Sequence, residues 1–471
     1  MDARIDATDF GRRKRQAALT ILAIGALMIE LDTTIVNVAL PTIRADFGVS
    51  PASLVWVANA YFLTFAGFLI LAGRLGDLFG HRRIFLSGIL LFTVASLYCA
   101  RAQTEQGLIG WRAIQGIGAA AVWAVATPLV LSLFSDHRHQ AKALGVLCFV
   151  STGGGSLALL LGGLLTSLLN WHWVFFINVP IGIATYVFGC FVLPPPLRSQ
   201  LPIRIDFAGA LTLTASVTLA AYTLNGRSTT ATSTILALSC MALIVLFLRL
   251  EYRATTPLIP FPLLTSRKLV TTVVVQVLLG MATATWFFEA ALYLQTTLEY
   301  SPLQVGLAFL PANQATALFT LFLSARLIMR FGLRRCLMIG LMLIALGLIL
   351  FSLSRVSANF TREILPSMLL VGVGVGMTTT PLLMLPLSDT SVHDHGVITG
   401  TATTMMLLGS AFGLSAIVSV ANARTDLMLN SGVDIIGAIN AGHHLAFALA
   451  SAVTIIAAAT AALLLREQQP R

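Results

Sequence analysis

Gly73-Arg-Leu-Gly-Asp-Leu-Phe-Gly-His-Arg-Arg83 returns as Ala325-Arg-Leu-Ile-Met-Arg-Phe-Gly-Leu-Arg-Arg335, position 73 against position 325, an offset of 252. The two stretches align without a gap over 11 positions, and 6 are identical: Arg-Leu, then Phe-Gly, then Arg-Arg. Each copy follows an apolar run and precedes another. A repeat at matched places implies two copies of one architectural unit.

The apolar runs set the scale of that unit. The chain has 471 residues, 57% hydrophobic and 10% charged, against roughly 25% charged in a soluble domain. A membrane-spanning helix needs about 20 apolar residues. Fourteen runs are read as spans: 17–40, 53–72, 84–100, 107–132, 143–168, 174–193, 207–224, 232–250, 269–294, 303–324, 336–353, 364–386, 396–420 and 443–465. An even number puts both termini on one side. With that side taken as the cytoplasm, 22 of the 29 Lys and Arg residues fall on inner segments. The outer loops hold Arg44, Arg101, Arg227, Arg355, Arg362 and Arg424, and Arg112 lies within a span. The positive-inside rule thus predicts cytoplasmic termini.

Both copies of the repeated loop then face the cytoplasm, so the halves are parallel repeats. The expected domains are a tail 1–16, a six-helix bundle 17–193, a linker with two inserted helices 194–268, a second six-helix bundle 269–465 and a tail 466–471. Pro194-Pro-Pro196 marks the exit from the first half, and Pro257, Pro260 and Pro262 the entry to the second. The expected fold class is an all-α membrane protein. Two parallel six-span halves describe a secondary transporter that binds substrate at the midplane between them.

Within the first span lies Glu30-Leu-Asp-Thr-Thr-Ile-Val-Asn-Val-Ala-Leu-Pro41. A carboxylate at the bilayer centre costs at least ~2.5 kcal/mol, so it should face a cavity or a partner and mark a functional site. At about 100° per residue, Glu30 and Asp32 lie roughly 200° apart on a helix. Glu30 shares a face with Thr33, Thr34 and Asn37; Asp32 shares one with Gly25, Met28 and Ala39. One of the two is expected to face the cavity and the other a helix contact. Desolvation favours the protonated form of a carboxyl and a nearby cation the ionised form, so a proton and a cationic substrate compete for one such group. A static ion pair within the bundle is the structural alternative.

Arg112 is the basic residue set deepest in a span, on a helix with Gly107, Gly110, Gly116 and Gly118 that permit close helix approach. It requires a carboxylate or carbonyl partner. Glu289 lies in one stripe with Thr285, Trp286 and Tyr293, a pattern suited to an organic cation through charge and cation–π attraction. The same aromatics could equally anchor the helix at the membrane boundary. In the loop after the second span, Gly73, Gly76 and Gly80 permit a tight turn beside Arg74, Asp77, Arg82 and Arg83; the second copy has Met329 where Asp77 stands.

Five motifs in order resemble the fourteen-spanner drug:proton antiporters of the major facilitator superfamily: LDTTIVNVALP in span 1, the loop GRLGDLFGHRR, LIGWRAIQGIGAA from Leu108 to Ala120, WHWVFFINVPIG from Trp171 to Gly182, and YSPLQVGLAFLP from Tyr300 to Pro311. The resemblance runs from about residue 19 to 465. It implies the major facilitator fold and proton-coupled export. It gives Asp32 the signature carboxylate, places Arg112 beside the proton site, and assigns Asp77 a cytoplasmic latch with a nearby arginine and a helix end. One departure stands out. The family's span 5 motif carries Gly-Pro four residues before a Gly-Gly pair; here Gly162-Gly163 is preceded by Ala158-Leu159.

The expected function is export of amphipathic, cationic organic compounds in exchange for protons, with Asp32, Glu30 and Arg112 coupling the proton. Glu289, Trp286, Tyr293 and Asn37 would contact substrate, and Gly73, Arg74, Asp77, Gly80, Arg82 and Arg83 would gate. The alternative is an importer or uniporter of a small organic metabolite. The expected partners are a small-molecule drug or metabolite, protons and the lipid bilayer of a bacterial inner membrane, with the protein a monomer. The net charge of +10 reads as a topology signal, not as nucleic-acid binding. No cofactor is expected: no Walker motif points to ATP. His137 and His139, like His393 and His395, lack a third ligand for a metal. Cys99, Cys148, Cys190, Cys240 and Cys336 are scattered without a CxxC. The loops are too short for an enzyme's catalytic element.

Overall fold

The computed structural model describes residues 11–49, 51–134, 136–194, 230–253, 266–387 and 395–465, with isolated positions between 209 and 223. Every regular element among them is helical. The first half supplies α1 (Arg12–Phe47), α2 (Pro51–Phe79), α3 (His81–Cys99), α4 (Glu105–Leu133), α5 (His137–Leu168), α6 (His172–Phe176) and α7 (Asn178–Val192), the last two forming one span. The helix α8 (Thr230–Arg253) stands between the halves. The second half supplies α9 (Arg267–Thr296), α10 (Pro302–Leu318), α11 (Ser324–Ser352), α12 (Leu365–Leu387), α13 (His395–Asn430) and α14 (Ile435–Leu464). Eleven helices among the described residues are long and apolar enough to cross a membrane. Most of the seventh run, 207–224, lies outside the described residues, as do the prolines 195, 196, 257, 260 and 262, His393, and most of both tails.

Local chemistry starts these helices where the runs begin. Thr104, Ser266 and Asp434 accept from backbone N–H groups three residues on, satisfying donors that a helix start leaves open. Ser301 and Gln304 form a capping box, with Pro302 in the first turn of α10. The first helix continues through Pro41 to Phe47, past the predicted end at residue 40, and stops at Gly48 with φ 64°. A left-handed residue closes a helix more firmly than one missing N–H.

The repeat is present in three dimensions. Gly80 has φ 93° and Gly332 φ 80°, conformations that side chains with a Cβ rarely adopt, so both copies break the helix at the same register position. Arg82 then donates to Cys190 O and Arg334 to Ala462 O. Each bond ties the loop to the far end of the last span in its own half.

Between the halves, α2 packs on α13 and α5 on α10. Asn59 Nδ2 donates to Ser415 Oγ at 2.6 Å, and Leu63 meets Ala411. The α5–α10 contact lies where α5 ends and α10 begins. There, a Cβ on Gly163 would meet Pro302 O and Leu303 Cα, and one on Gly306 would meet Leu159 O at 2.5 Å. The Leu303 N–H donates to Ser167 Oγ. The pair is therefore sealed at this end.

Candidate proton and substrate site

Asp32 is fully buried and held by three donors from two other helices. Arg112 Nη1 on α4 reaches its Oδ2 at 2.5 Å. Gln115 Nε2, one turn further along α4, and Asn178 Nδ2 at the start of α7 reach Oδ1 at 2.8 and 3.0 Å. Gln115 Oε1 accepts from Arg112 Nη1 at 2.6 Å, and its amide donates to Ser96 Oγ on α3. Arg112, 1% exposed, also donates through Nε to Val57 O on α2. Its guanidinium carbon lies 4.3 Å from the centre of the Tyr61 ring and 5.7 Å from that of Phe175. One carboxylate thus draws together α1, α2, α3, α4 and α7.

Close packing makes this possible. A Cβ on Gly116 would meet Tyr61 O at 2.5 Å, and one on Gly118 the backbone of Phe92 at 2.7 Å. Small residues there let α2 and α3 close on α4. A buried ion pair is stable only when its remaining donors and acceptors are also satisfied. Here the amides of Gln115 and Asn178 do that. Proton uptake by Asp32 would leave the guanidinium with Gln115, Val57 O and two ring faces, so it must be accompanied by rearrangement.

Glu30 points the other way, as the helical geometry required. It is half-buried, its Cβ and Cγ pack where α5 carries Gly154, and its carboxylate makes no hydrogen bond among the described residues. Leu27, beneath it, meets the same glycine. A cleft between Leu19, Ala23, Ile24 and Leu27 on α1 and Val146 and Val150 on α5 runs below that level. Asn37, 8% exposed, likewise has no side-chain partner among the described residues, while Thr33 and Thr34 bond back to α1.

The stripe on α9 turns into the second half. Glu289 Oε2 lies 2.5 Å from Nδ1 of His443 on α14. Tyr293 donates its hydroxyl to Arg355 O at 2.8 Å. Trp286 is 2% exposed and packs on Phe309 and Phe287 at 5.3 and 4.6 Å between ring centres, its Nε1 without a partner. The three share a face, as predicted, but Glu289 meets an imidazole from the last span in place of an open aromatic wall.

In the loop between α2 and α3, Asp77 meets His81 at 3.2 Å. Among the described residues it does not pair with an arginine: Arg82 is drawn instead to the end of α7, and Arg74 and Arg83 have no ion pair. The stretch 388–394, before α13, lies outside the described residues. Gly73 has only Ala124 Cβ nearby, at 3.9 Å, whereas a Cβ on Gly76 would meet Val125 at 2.6 Å. In the second copy Met329 is 80% exposed. His139 bonds Asp136, the cap of α5, at 2.8 Å.

Gln115, Asn178 and His443 complete these clusters and went unmarked in the sequence reading. Gln115 sits three residues after Arg112, Asn178 lies inside the quoted WHWVFFINVPIG, and His443 opens the last apolar run as half of His443-His444.

The profile of the Major Facilitator Superfamily matches residues 22–414. The chain is 32% identical over 461 residues to the puromycin resistance protein pur8 of Streptomyces alboniger, covering 95% of this chain and 91% of that protein. It is 34% identical over 415 residues to the cephamycin export protein CmcT of Amycolatopsis lactamdurans, covering 87% and 85%. Among solved structures, the bacterial homolog of the human lysosomal transporter Spinster, inward-facing and occupied, superposes with TM-score 0.69 at 14% identity, covering 96% of this chain and 97% of that one.

Proposed function

The chain belongs to the Major Facilitator Superfamily, and from that premise we propose that it exports amphipathic organic compounds, cations among them, in exchange for protons. It is a multi-pass membrane transporter and not an enzyme. The observation that carries the proposal is the pairing on α1 of one enclosed carboxylate, Asp32, with a second, Glu30, two residues away, that makes no hydrogen bond among the described residues.

In this reading both termini are cytoplasmic, 17–193 and 269–465 form the two bundles, and 194–268 is the inserted pair of helices. The sealed ends of α5 and α10 are then the outer ends, and in this reading the path opens to the cytoplasm. A compound entering from inside reaches Glu30 and Asn37, with Trp286 and Tyr293 stiffening α9 behind. A proton arriving from outside binds Asp32 and loosens it from Arg112, Gln115 and Asn178. Moving one proton inward across 100 mV supplies about 2.3 kcal/mol. Return to the inward state restores the ion pair and releases the proton inside. Loop residues Gly73, Arg74, Asp77, Gly80, Arg82 and Arg83 would latch the cytoplasmic ends in the opposite state. The protein works as a monomer in the bacterial inner membrane.

The relatives bear on substrate charge. One is named for puromycin, an amine, and one for a cephamycin, a carboxylic acid, so cation preference rests on Glu30 alone. Inverted vesicles test direction and coupling together. Puromycin, lincomycin and cephamycin C are offered, with the vesicle lumen acidified. Gradient-driven uptake into the lumen, lost in Asp32→Asn, is the expected result. Uptake indifferent to the pH gradient, or movement only in the importing direction, overturns the proposal. The latter would favour the uniporter or importer suggested by Ala158-Leu159.

A further inference from the structure

Glu289 and His443 are 3% and 7% exposed and touch through Oε2 and Nδ1 at 2.5 Å. The other ring nitrogen, Nε2, faces Thr296 Oγ1 at 3.4 Å. The Thr296 hydroxyl gives its own hydrogen to Leu292 O at 2.8 Å, so its oxygen can only accept, and Nε2 carries a hydrogen. The short line between Nδ1 and Oε2 then holds one proton. It can sit on the imidazole or on the carboxyl without changing the charge of the pair. Without it, two lone pairs would face each other at hydrogen-bond distance.

The repeat gives this pair a counterpart. Asp32 on the first span accepts from Asn178 on the sixth; Glu289 on the ninth meets His443 on the last, the spans that hold the same places in the second half. The partners differ in kind. Arg112 stays charged and Asn178 stays neutral, whereas histidine ordinarily changes charge near neutral pH. The acid of the first half is tied to a permanent cation, and that of the second to a cation that can vanish.

We infer that Glu289 and His443 form a second proton-binding site, in the C-terminal half, whose proton exchanges during the export cycle. The role in export rests on the proton-coupled reading above; the binding of the proton does not. The site is joined to the seal between the halves. Phe288, the residue before Glu289, and Leu292, one turn after it, lie in one buried cluster with Leu31 and Ile35 of α1, and Gln295 donates to Val38 O. A change of charge on one face of α9 thus acts on a helix whose next face touches α1 across the two halves.

Few other titratable groups face the pair. His444 follows on α14 and binds Ser354 O at 2.6 Å. Tyr293 shares α9 and is fixed to Arg355 O. Glu363 caps the same loop through the backbone N–H groups of Arg355 and Asn359, and Tyr300 lies in the turn before α10. From α13, Ala421 and Thr425 meet Gly442 beside His443, while Arg424 and Asp426 are exposed. From α1, Val38 O accepts from Gln295, and from α10 the Phe309 ring meets Trp286; neither group is charged.

The test needs neither substrate nor gradient, so it can fail while export stands, and export can fail while it holds. The protein with 15N-labelled histidine is placed in lipid nanodiscs and titrated from about pH 5 to about pH 10, spanning the histidine range. The His443 signals are assigned by their absence in His443→Gln. The expected result is a proton exchanged at Nδ1 within that range, with a midpoint that moves by about one pH unit or more in Glu289→Gln. Should that variant fail to insert, Thr296→Val removes the acceptor at Nε2, leaves the carboxylate in place and must move the same midpoint. Ring signals that stay constant across the range, or a midpoint unmoved by loss of either partner, overturn the assignment.

Discussion

Arg82 and Arg334, one in each half, make the same bond: each guanidinium donates to a backbone carbonyl near the end of the last span of its half, Cys190 O and Ala462 O. In both, Nε is buried without a partner among the described residues. Shape, more than sequence, sets this contact, because the receiving segments share only their place in the fold. Charge-assisted bonds contribute about 1.5–3 kcal/mol. Arg82→Ala and Arg334→Ala should therefore each lower the thermal unfolding midpoint in detergent by a similar amount, and together additively, since they lie in separate halves. A loss confined to one variant would break the equivalence of the two loops.

The Asp32–Arg112 pair separates stability from coupling. Removing one member of a buried pair costs about 3–5 kcal/mol, because the other charge is left enclosed; removing both can be nearly neutral. Asp32→Asn should lower the unfolding midpoint and abolish gradient-driven transport. The double variant Asp32→Asn with Arg112→Gln should recover much of the midpoint and none of the coupling. Thermal unfolding beside vesicle uptake of the same preparations reads both. Recovered coupling in the double variant would assign the pair a purely structural role.

The repeat was legible because its residues obey hard constraints: a glycine where φ is positive at Gly80 and Gly332, and a basic loop of the kind the positive-inside rule selects. The Asp32–Arg112 contact was legible through cost, since neither charge survives in a span alone. Gln115 and Asn178 left no such trace. An amide in an apolar run is cheap beside a guanidinium, and its role appears only when three helices converge. His443 had a signal, a histidine pair at the start of the last run, but a partner 154 residues away cannot be read from helical spacing. The Gly162-Gly163 pair stood out in the sequence for the missing Gly-Pro before it, which says nothing of what the glycines themselves do. Their use here is close approach: Gly162 admits Ile35 of α1 and Gly163 admits Pro302 and Leu303 of α10.

That seam makes a prediction about the seal that the proposed orientation puts on the outside. A Cβ on Gly306 would lie 2.5 Å from Leu159 O and 3.2 Å from Leu160 Cα, backbone atoms that yield only if the helices separate. Gly306→Val should part α5 from α10 at this end. A cysteine introduced at Val305, fully buried beside Gly306 and clustered with Leu159, should then react several-fold faster with a membrane-impermeant maleimide added outside cells. Unchanged labelling would mean that the seam carries no part of the seal.

Glu30 should be nearly silent in stability and loud in selectivity. Its carboxylate has no partner among the described residues and its stem packs beside Gly154, so Glu30→Gln should change stability by about 0.5 kcal/mol or less, as for substitutions away from buried networks. If a substrate ammonium meets this group, the variant forfeits a charge-assisted bond worth about 1.5–3 kcal/mol, or roughly 10- to 100-fold in affinity. Half-saturating concentrations in inverted vesicles should rise by that factor for puromycin, an amine, and stay within about twofold for a cephamycin that carries a carboxylate and no ammonium. Gly154→Val should act in the same direction, because a Cβ there would sit 3.0 Å from the Glu30 Cγ and push the carboxylate from its place. An equal rise for both compounds would instead make Glu30 a group that shapes the path without reading charge.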